Sequence, residues 1–173
     1  MQTQRQDVTG SRSIIATLDE ARSATQQVAF AARRLLTMYT QDLEPAVYDQ
    51  PQFLETVKKL VLAKSYAKVR VLLADPSRVM YEGSKFVHLA RRITSHIEIR
   101  RVKAQNRDYQ SAFLIADDRA LAYRLQASRW EGILEMNDPI IARRYLNYFD
   151  EIWIASEPEA ETRQQHLSRR AKP

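Results

Sequence analysis

Residues 69–74 read VRVLLA and are closed at once by Asp75-Pro76. A β-branched and leucine-rich run ending in such a pair is a buried strand entering a loop. Upstream of it, Pro51 suits the first position of a helix, where Phe53, Leu54, Val57, Leu60 and Val61 form one stripe while Lys58 and Lys59 face outward. Downstream, Phe86, Val87, Ala90 and Ile93 give residues 84–94 helical spacing, and residues 97–102 (IEIRRV) alternate as a strand does. Further out, Thr17 and Glu20 have the form of a capping box ahead of Ala21, Ala24, Val28 and Ala31, which predicts a helix over 18–31. A short strand over 35–40 follows and ends at the polar loop 41–45 (QDLEP). The order is α-β-α-β-α-β. Alternation of this kind implies right-handed crossovers and an α/β fold with a largely parallel sheet covered by helices on both faces.

The pattern changes after residue 110. Residues 112–116 (AFLIA) and 120–125 (ALAYRL) flank the polar turn Asp117-Asp118-Arg119, which predicts an antiparallel hairpin. Residues 132–136 (GILEM) are a further strand. Asp138-Pro139 then caps and opens a last helix, with Ile140, Ile141, Tyr145, Leu146 and Phe149 on its buried stripe and Trp153 near its end. The expected organisation is a flexible N-terminal tail over 1–16, one domain over 17–156 and a flexible charged tail over 157–173.

Composition narrows the chemistry. Of 173 residues, 45% are apolar, enough for one core; 27 Lys plus Arg against 21 Asp plus Glu leave a net charge of +6, which favours anionic partners. With no cysteine, disulfides, thiolate nucleophiles and cysteine metal sites are excluded. His88, His96 and His166 have no ligand spacing, so no metal site or cofactor is expected. The three glycines, Gly10, Gly83 and Gly132, are too scattered to write a P-loop or a dinucleotide fingerprint. No apolar run approaches a membrane span and the polar start has no signal-peptide core, so a cytoplasmic protein with no membrane partner is expected.

From Gln110 onward, QSAFLIADDRALAYRLQA followed by EMNDPIIARRYLNYFDEIWIAS resembles one half-module of the phospholipase D superfamily. That family's signature is HxKxxxxD on a strand and hairpin, then a GSxN segment, a strand, an acidic-Pro pair opening a helix, and an aromatic close ending in Trp. In register, Asp117 falls on the family aspartate, and Asp138-Pro139 and residues 149–153 match the later elements. VRVLLADP looks like the family's second strand and IEIRRV like its third. The resemblance covers most of residues 33–156 and implies a phospholipase D-like mixed sheet.

The same register puts Gln110 where the family histidine stands and Ala112 where its lysine stands. In the family reaction the histidine attacks phosphorus and the lysine neutralises charge on the phosphoryl oxygens. An amide and a methyl can do neither. Arg124, Leu125, Gln126 and Ala127 replace the GSxN segment. The resemblance therefore implies a non-enzyme with a vestigial site or ligand pocket made of Gln110, Ala112, Asp117, Arg124 and Trp130. In it a guanidinium and a stacking indole could hold a phosphate or nucleotide. The plainer readings are that Trp130 and Trp153 are core aromatics, Arg124 a surface strand residue and Asp117 a turn former. His88 and His96 read as packing residues.

Residues 78–107 hold Arg78, Lys85, Arg91, Arg92, Arg100, Arg101, Lys103 and Arg107 against Glu82 and Glu98. On a helix followed by a strand these cations could gather on one side and track a phosphate backbone, or form a solvated basic face. The expectation is a binding module for RNA or DNA, or for another phosphate-bearing ligand. The alternative is an adaptor docking a protein partner. Because family enzymes build one site from two halves, the resemblance also implies a homodimer with Gln110 near the seam.

Overall fold

Thr17 starts the first helix by the reciprocal contacts its sequence promises. Its hydroxyl accepts the Glu20 N–H at 3.2 Å, and the Glu20 carboxylate accepts the Thr17 N–H at 3.2 Å. The computed structural model describes residues 12–158. In chain order the elements are β1 (Arg12–Ile15), α1 (Leu18–Ala31), β2 (Leu35–Thr40), α2 (Pro45–Tyr48), α3 (Pro51–Ala63) and β3 (Lys68–Leu73). Then come α4 (Ser77–Glu82), α5 (Lys85–Arg92), β4 (Ile97–Arg101), a 3-10 turn (Ala104–Asn106), β5 (Ala112–Ala116) and β6 (Ala120–Arg124). The chain continues through β7 (Gly132–Glu135) and α6 (Pro139–Ala155) to β8 (Glu157–Pro158).

All eight strands join one sheet in the order β1-β7-β6-β5-β2-β3-β4-β8. The sheet is mixed, as expected, but its largely parallel character is corrected to a mainly antiparallel one: only β2–β3 and β3–β4 are parallel, and the other five pairings are antiparallel. A parallel pair needs a crossover long enough to carry the chain back, usually a helix, and α3 and α5 supply that for β3 and β4. Between β4 and β5 there is only a 3-10 turn and loop, so β5 runs back along the far side of β2, and the short links after it keep reversing the chain.

Helices cover both faces. α1, α3 and α5 pack Val28, Phe53, Val57, Phe86 and Val87 against Met38, Val71, Ile99 and Leu114. On the other face α6 lays Ala142, Phe149 and Ile152 over Tyr39, Leu72, Phe113 and Ile115. Arg70 and Arg100 hold α6 down. Arg70 pairs with Asp150 at 2.8 Å, and the Arg100 guanidinium lies 4.2 Å from the Trp153 ring centre. Trp153 is thus a packing residue.

Residues 12–15, placed in the N-terminal tail by sequence, form the edge strand β1 against β7, with Ile15 buried and Ile14 exposed. Four residues alternating once are too short a pattern to stand out from polar surroundings. Residues 157 and 158 pair with β4 as β8, and the Ala16 N–H donates to the Glu20 carboxylate at 2.6 Å; residues 1–11 and 159–173 of the expected tails lie outside the described residues.

Candidate functional site

The parallel strands β2, β3 and β4 give the sheet two unlike ends: the end where they start and the end where they finish. The finishing end, with the start of β5 beside it, carries Gln110 and Ala112. Gln41 bridges there, its side-chain amide donating to the Tyr109 and Ser111 carbonyls at 2.9 and 3.0 Å. Gln110 is exposed and its amide donates to the Arg107 carbonyl at 3.3 Å.

Ala112 is buried and sits directly across from Arg124 on β6. Facing positions on neighbouring strands bring their Cβ atoms within about 5 Å on one side of the sheet. The Arg124 side chain therefore lies in the space that a long cation at 112 would enter. It does not reach solvent. Arg124 is 6% exposed; one terminal nitrogen donates to the Ala127 and Arg129 carbonyls at 2.8 and 2.9 Å, and the other pairs with the Glu44 carboxylate. Trp130 covers the guanidinium, its ring centre 5.0 Å away, and packs on the core.

Glu44 arrives on the loop after β2, where Leu43 takes a positive φ of 54° with its N–H held by the Thr40 hydroxyl at 3.0 Å. Burial pushes the Glu44 carboxyl above its ordinary range, against the pull of the Arg124 guanidinium. The cavity that remains, lined by Ala112, Arg124, Tyr48 and Thr25, measures ≈ 20 Å3. It has room for about one water and none for a nucleotide. Sequence reasoning missed Glu44, because one acid in a polar loop carries no signal.

Asp117 is not part of this cluster. It lies at the other end of β5, about 20 Å from Gln110 by the rise of an extended chain. There it has φ 55°, and its carboxylate accepts the backbone N–H groups of Arg33, Arg34 and Leu35 at 3.0, 2.8 and 3.0 Å. Its role is to fix the start of β2.

The eight cations of residues 78–107 divide between the two ends because α5 and β4 run in opposite directions. Arg78, Arg101, Lys103 and Arg107 lie at the finishing end among acids. Arg78 pairs with Asp42 at 3.0 Å and with Glu82 at 3.2 Å, and the Ser77 hydroxyl and N–H, helped by Arg107 and Arg101, hold the Asp75 carboxyl below its usual range. Arg100 bonds Glu98 at 2.9 Å and the Trp153 carbonyl at 3.1 Å. Lys85 is exposed at the start of α5. Arg91 and Arg92 close α5 at the starting end.

At that end they join cations the sequence reading passed over. Arg33 and Arg34 precede β2, and Lys64 and Lys68 flank the turn into β3. The Arg34 guanidinium and the Lys64 ammonium each lie 5.6 Å from the ring centre of the exposed Tyr66, and Lys68 donates to the Ser95 carbonyl at 2.6 Å. Among the described residues, no carboxylate lies within salt-bridge distance of Arg33, Arg34, Lys64 or Arg92. The sequence repeats Ala-Arg-Arg at 32–34 and 90–92, ahead of β2 and β4, but the same tripeptide at 142–144 lies inside α6, so the repeat alone does not mark this end.

Among the described residues, no group of three or more His, Asp or Glu is placed to hold a metal ion, and no helix is long and apolar enough to cross a membrane. In the solved structures the fold recurs. An archaeal chromatin protein, TrmBL2, whose structure shows a novel mode of DNA binding, matches with a TM-score of 0.63 at 13% identity over 91% of this chain. This chain spans 57% of that protein. The phospholipase D family member Nuc from Salmonella typhimurium matches with a TM-score of 0.57 at 14% identity, and NucT from Helicobacter pylori with 0.61 at 13%. Each of these two matches covers 86% of this chain and 98% of the other. At such identities the likeness is one of fold, and the fold is phospholipase D-like. No curated protein sequence matches the chain. A family model described as "Domain of unknown function (DUF7931)" matches residues 17–165, and the chain belongs to that family.

Proposed function

We propose that this chain is a non-catalytic phospholipase D-like module that binds nucleic acid through the basic starting end of its sheet. The observation that carries the reading is the pooling of Arg33, Arg34, Lys64, Lys68 and Arg92 around three successive strand entries. Cations near the last turn of a helix gain from its dipole, which accounts for some of their placement. It does not account for the four side chains, Arg33, Arg34, Lys64 and Arg92, that have no carboxylate within salt-bridge distance among the described residues, in contrast with the paired Arg78 at the finishing end. The nearby Asp117 carboxylate is taken up by backbone N–H groups. A phosphate backbone laid across the three entries would meet them in turn and release counterions. The chromatin protein that shares the fold, whose structure shows a mode of DNA binding, supports a nucleic-acid ligand.

The non-catalytic half of the reading rests on Gln110 and Ala112. At the positions of the family nucleophile and its cation stand a neutral amide and a buried methyl, and the neighbouring guanidinium is turned inward onto Glu44. Among the described residues, the polar side chains of Gln41, Arg124 and Glu44 stand beside them, and each is engaged in its own hydrogen bonds.

The test is fluorescence anisotropy with labelled single-stranded RNA, single-stranded DNA and duplex DNA from about 50 to 200 mM salt, where phosphate-driven binding falls steeply. The Arg33→Glu, Arg34→Glu, Arg92→Glu variant should weaken binding and flatten the salt slope. The Arg101→Glu, Lys103→Glu variant should change it far less. No binding at low salt, or equal loss in both variants, would overturn the assignment.

A further inference from the structure

Between the C-terminal halves of α1 and α3, next to the basic end, runs an open groove of ≈ 230 Å3. Its walls are apolar, from Ala29, Phe30, Leu60 and Ala63, and its rim is cationic, from Arg33, Lys59 and Lys64. Phe30 is 79% exposed. The other apolar residues of α1 are buried or half-buried, so Phe30 is the large apolar side chain that this helix leaves exposed, and it stands in the wall of the groove. Tyr66, 54% exposed, stands just beyond the rim between Arg34 and Lys64.

Resting on the nucleic-acid reading above, we propose that this groove receives one unstacked base and that the chain therefore selects single-stranded over double-stranded nucleic acid. Three observations converge. At ≈ 230 Å3 the groove has room for the planar ring system of one base. Its wall offers Phe30 as a stacking face, with Tyr66 as a second platform along the same path, and base–aromatic stacking is indifferent to sequence. The rim cations stand where phosphates on either side of an inserted base would pass, and no carboxylate pairs with Arg33, Lys59 or Lys64 among the described residues. A duplex could reach the same cations. Its bases are held in the stack, however, so Phe30 would stay wet. An acidic peptide with an apolar anchor would use the groove and its rim but not the cations that continue past Tyr66 to Lys68 and Arg92.

The experiment compares labelled oligothymidylate, oligouridylate and a mixed-sequence duplex of equal length, on the parent chain and on Phe30→Ala and Tyr66→Ala. Both substituted side chains are exposed, and thermal melts should match the parent. The expected result is tighter binding of both single strands than of the duplex. Phe30→Ala should cost about 5- to 100-fold on single strands, the range of one lost base stack, and leave duplex binding unchanged. Equal affinity for strand and duplex, or an unchanged Phe30→Ala, overturns the groove while the nucleic-acid reading stands. Loss of all binding to the parent chain overturns both. Displacement of the oligonucleotide by a Glu- and Leu-rich peptide that binds more tightly would reassign the groove to a protein segment.

Discussion

Asp117 and Arg34 are joined by a 2.8 Å hydrogen bond across eighty-three residues, from the backbone N–H of Arg34 to the carboxylate of Asp117. With the parallel bonds from Arg33 and Leu35, it ties the β5–β6 turn to the entry of β2 and orders the segment that presents two of the proposed ligand-binding cations. Asp117→Ala should lower stability by about 1.5–3 kcal/mol, as for hydrogen bonds to a charged group. Asp117→Asn, which tolerates the left-handed backbone and keeps an acceptor, should lose less. Urea midpoints of the two variants check this.

Arg124→Met should remove about 3–5 kcal/mol at pH 8, because it strands the Glu44 carboxylate in the interior. A carboxyl whose pKa is raised in the folded state binds a proton there before it does in the unfolded chain, so its contribution falls as pH rises through the window above the ordinary glutamate range. Without Arg124 the rise is larger and the window wider. The penalty measured at pH 5 should therefore be smaller than at pH 8, and a pH-independent penalty would refute the pairing as its cause.

Gly132→Ala should destabilise the fold by about 1–3 kcal/mol through overpacking. A Cβ there would run into the Tyr123 carbonyl oxygen and come within 2.6 Å of Arg124 Cγ. Both neighbours are held, one in the β6 ladder and one by Glu44. Chemical denaturation of the single variant reads the effect directly.

Tyr39→Phe should leave stability unchanged or raise it by up to about 1 kcal/mol. The Tyr39 hydroxyl is buried among Tyr109, Phe113 and Tyr148 with no hydrogen-bond partner among the described residues, and burial pushes its phenol pKa well up. An unsatisfied buried hydroxyl costs more than the bond it fails to make. A lower melting temperature in the variant would reveal a bonded partner.

Gln110→His with Ala112→Lys should give no turnover of bis(p-nitrophenyl) phosphate. The new lysine would enter the space filled by the Arg124 guanidinium, placing two cations beside one carboxylate. Measurable hydrolysis would overturn the non-catalytic reading, and a lowered melting temperature is expected alongside its absence.

Most elements were legible because their patterns are local. The capping box at Thr17 and Glu20, Pro51, Asp138-Pro139 and the AFLIA–DDR–ALAYR hairpin each announce themselves within a few residues. Strand direction was not legible from the alternation of the first half, since it depends on how long each later connection is. The site was legible only in what it lacks. Gln110 and Ala112 could be read off the register, but the inward turn of Arg124 depends on Glu44, eighty residues away. The basic region 78–107 looked continuous because a helix and the strand after it are adjacent in sequence while their far ends point opposite ways.

The two outermost strands, β1 and β8, come from opposite ends of the described chain. Seven inter-strand steps of about 4.8 Å separate them, about 34 Å in all. The sheet thus acts as a strut: anything joined at one margin is held a fixed span from anything joined at the other. Since the chain contains no cysteine, Ser13→Cys and Pro158→Cys would place a donor and an acceptor dye across that strut, turning its width into an optical reading of whether the whole sheet is intact.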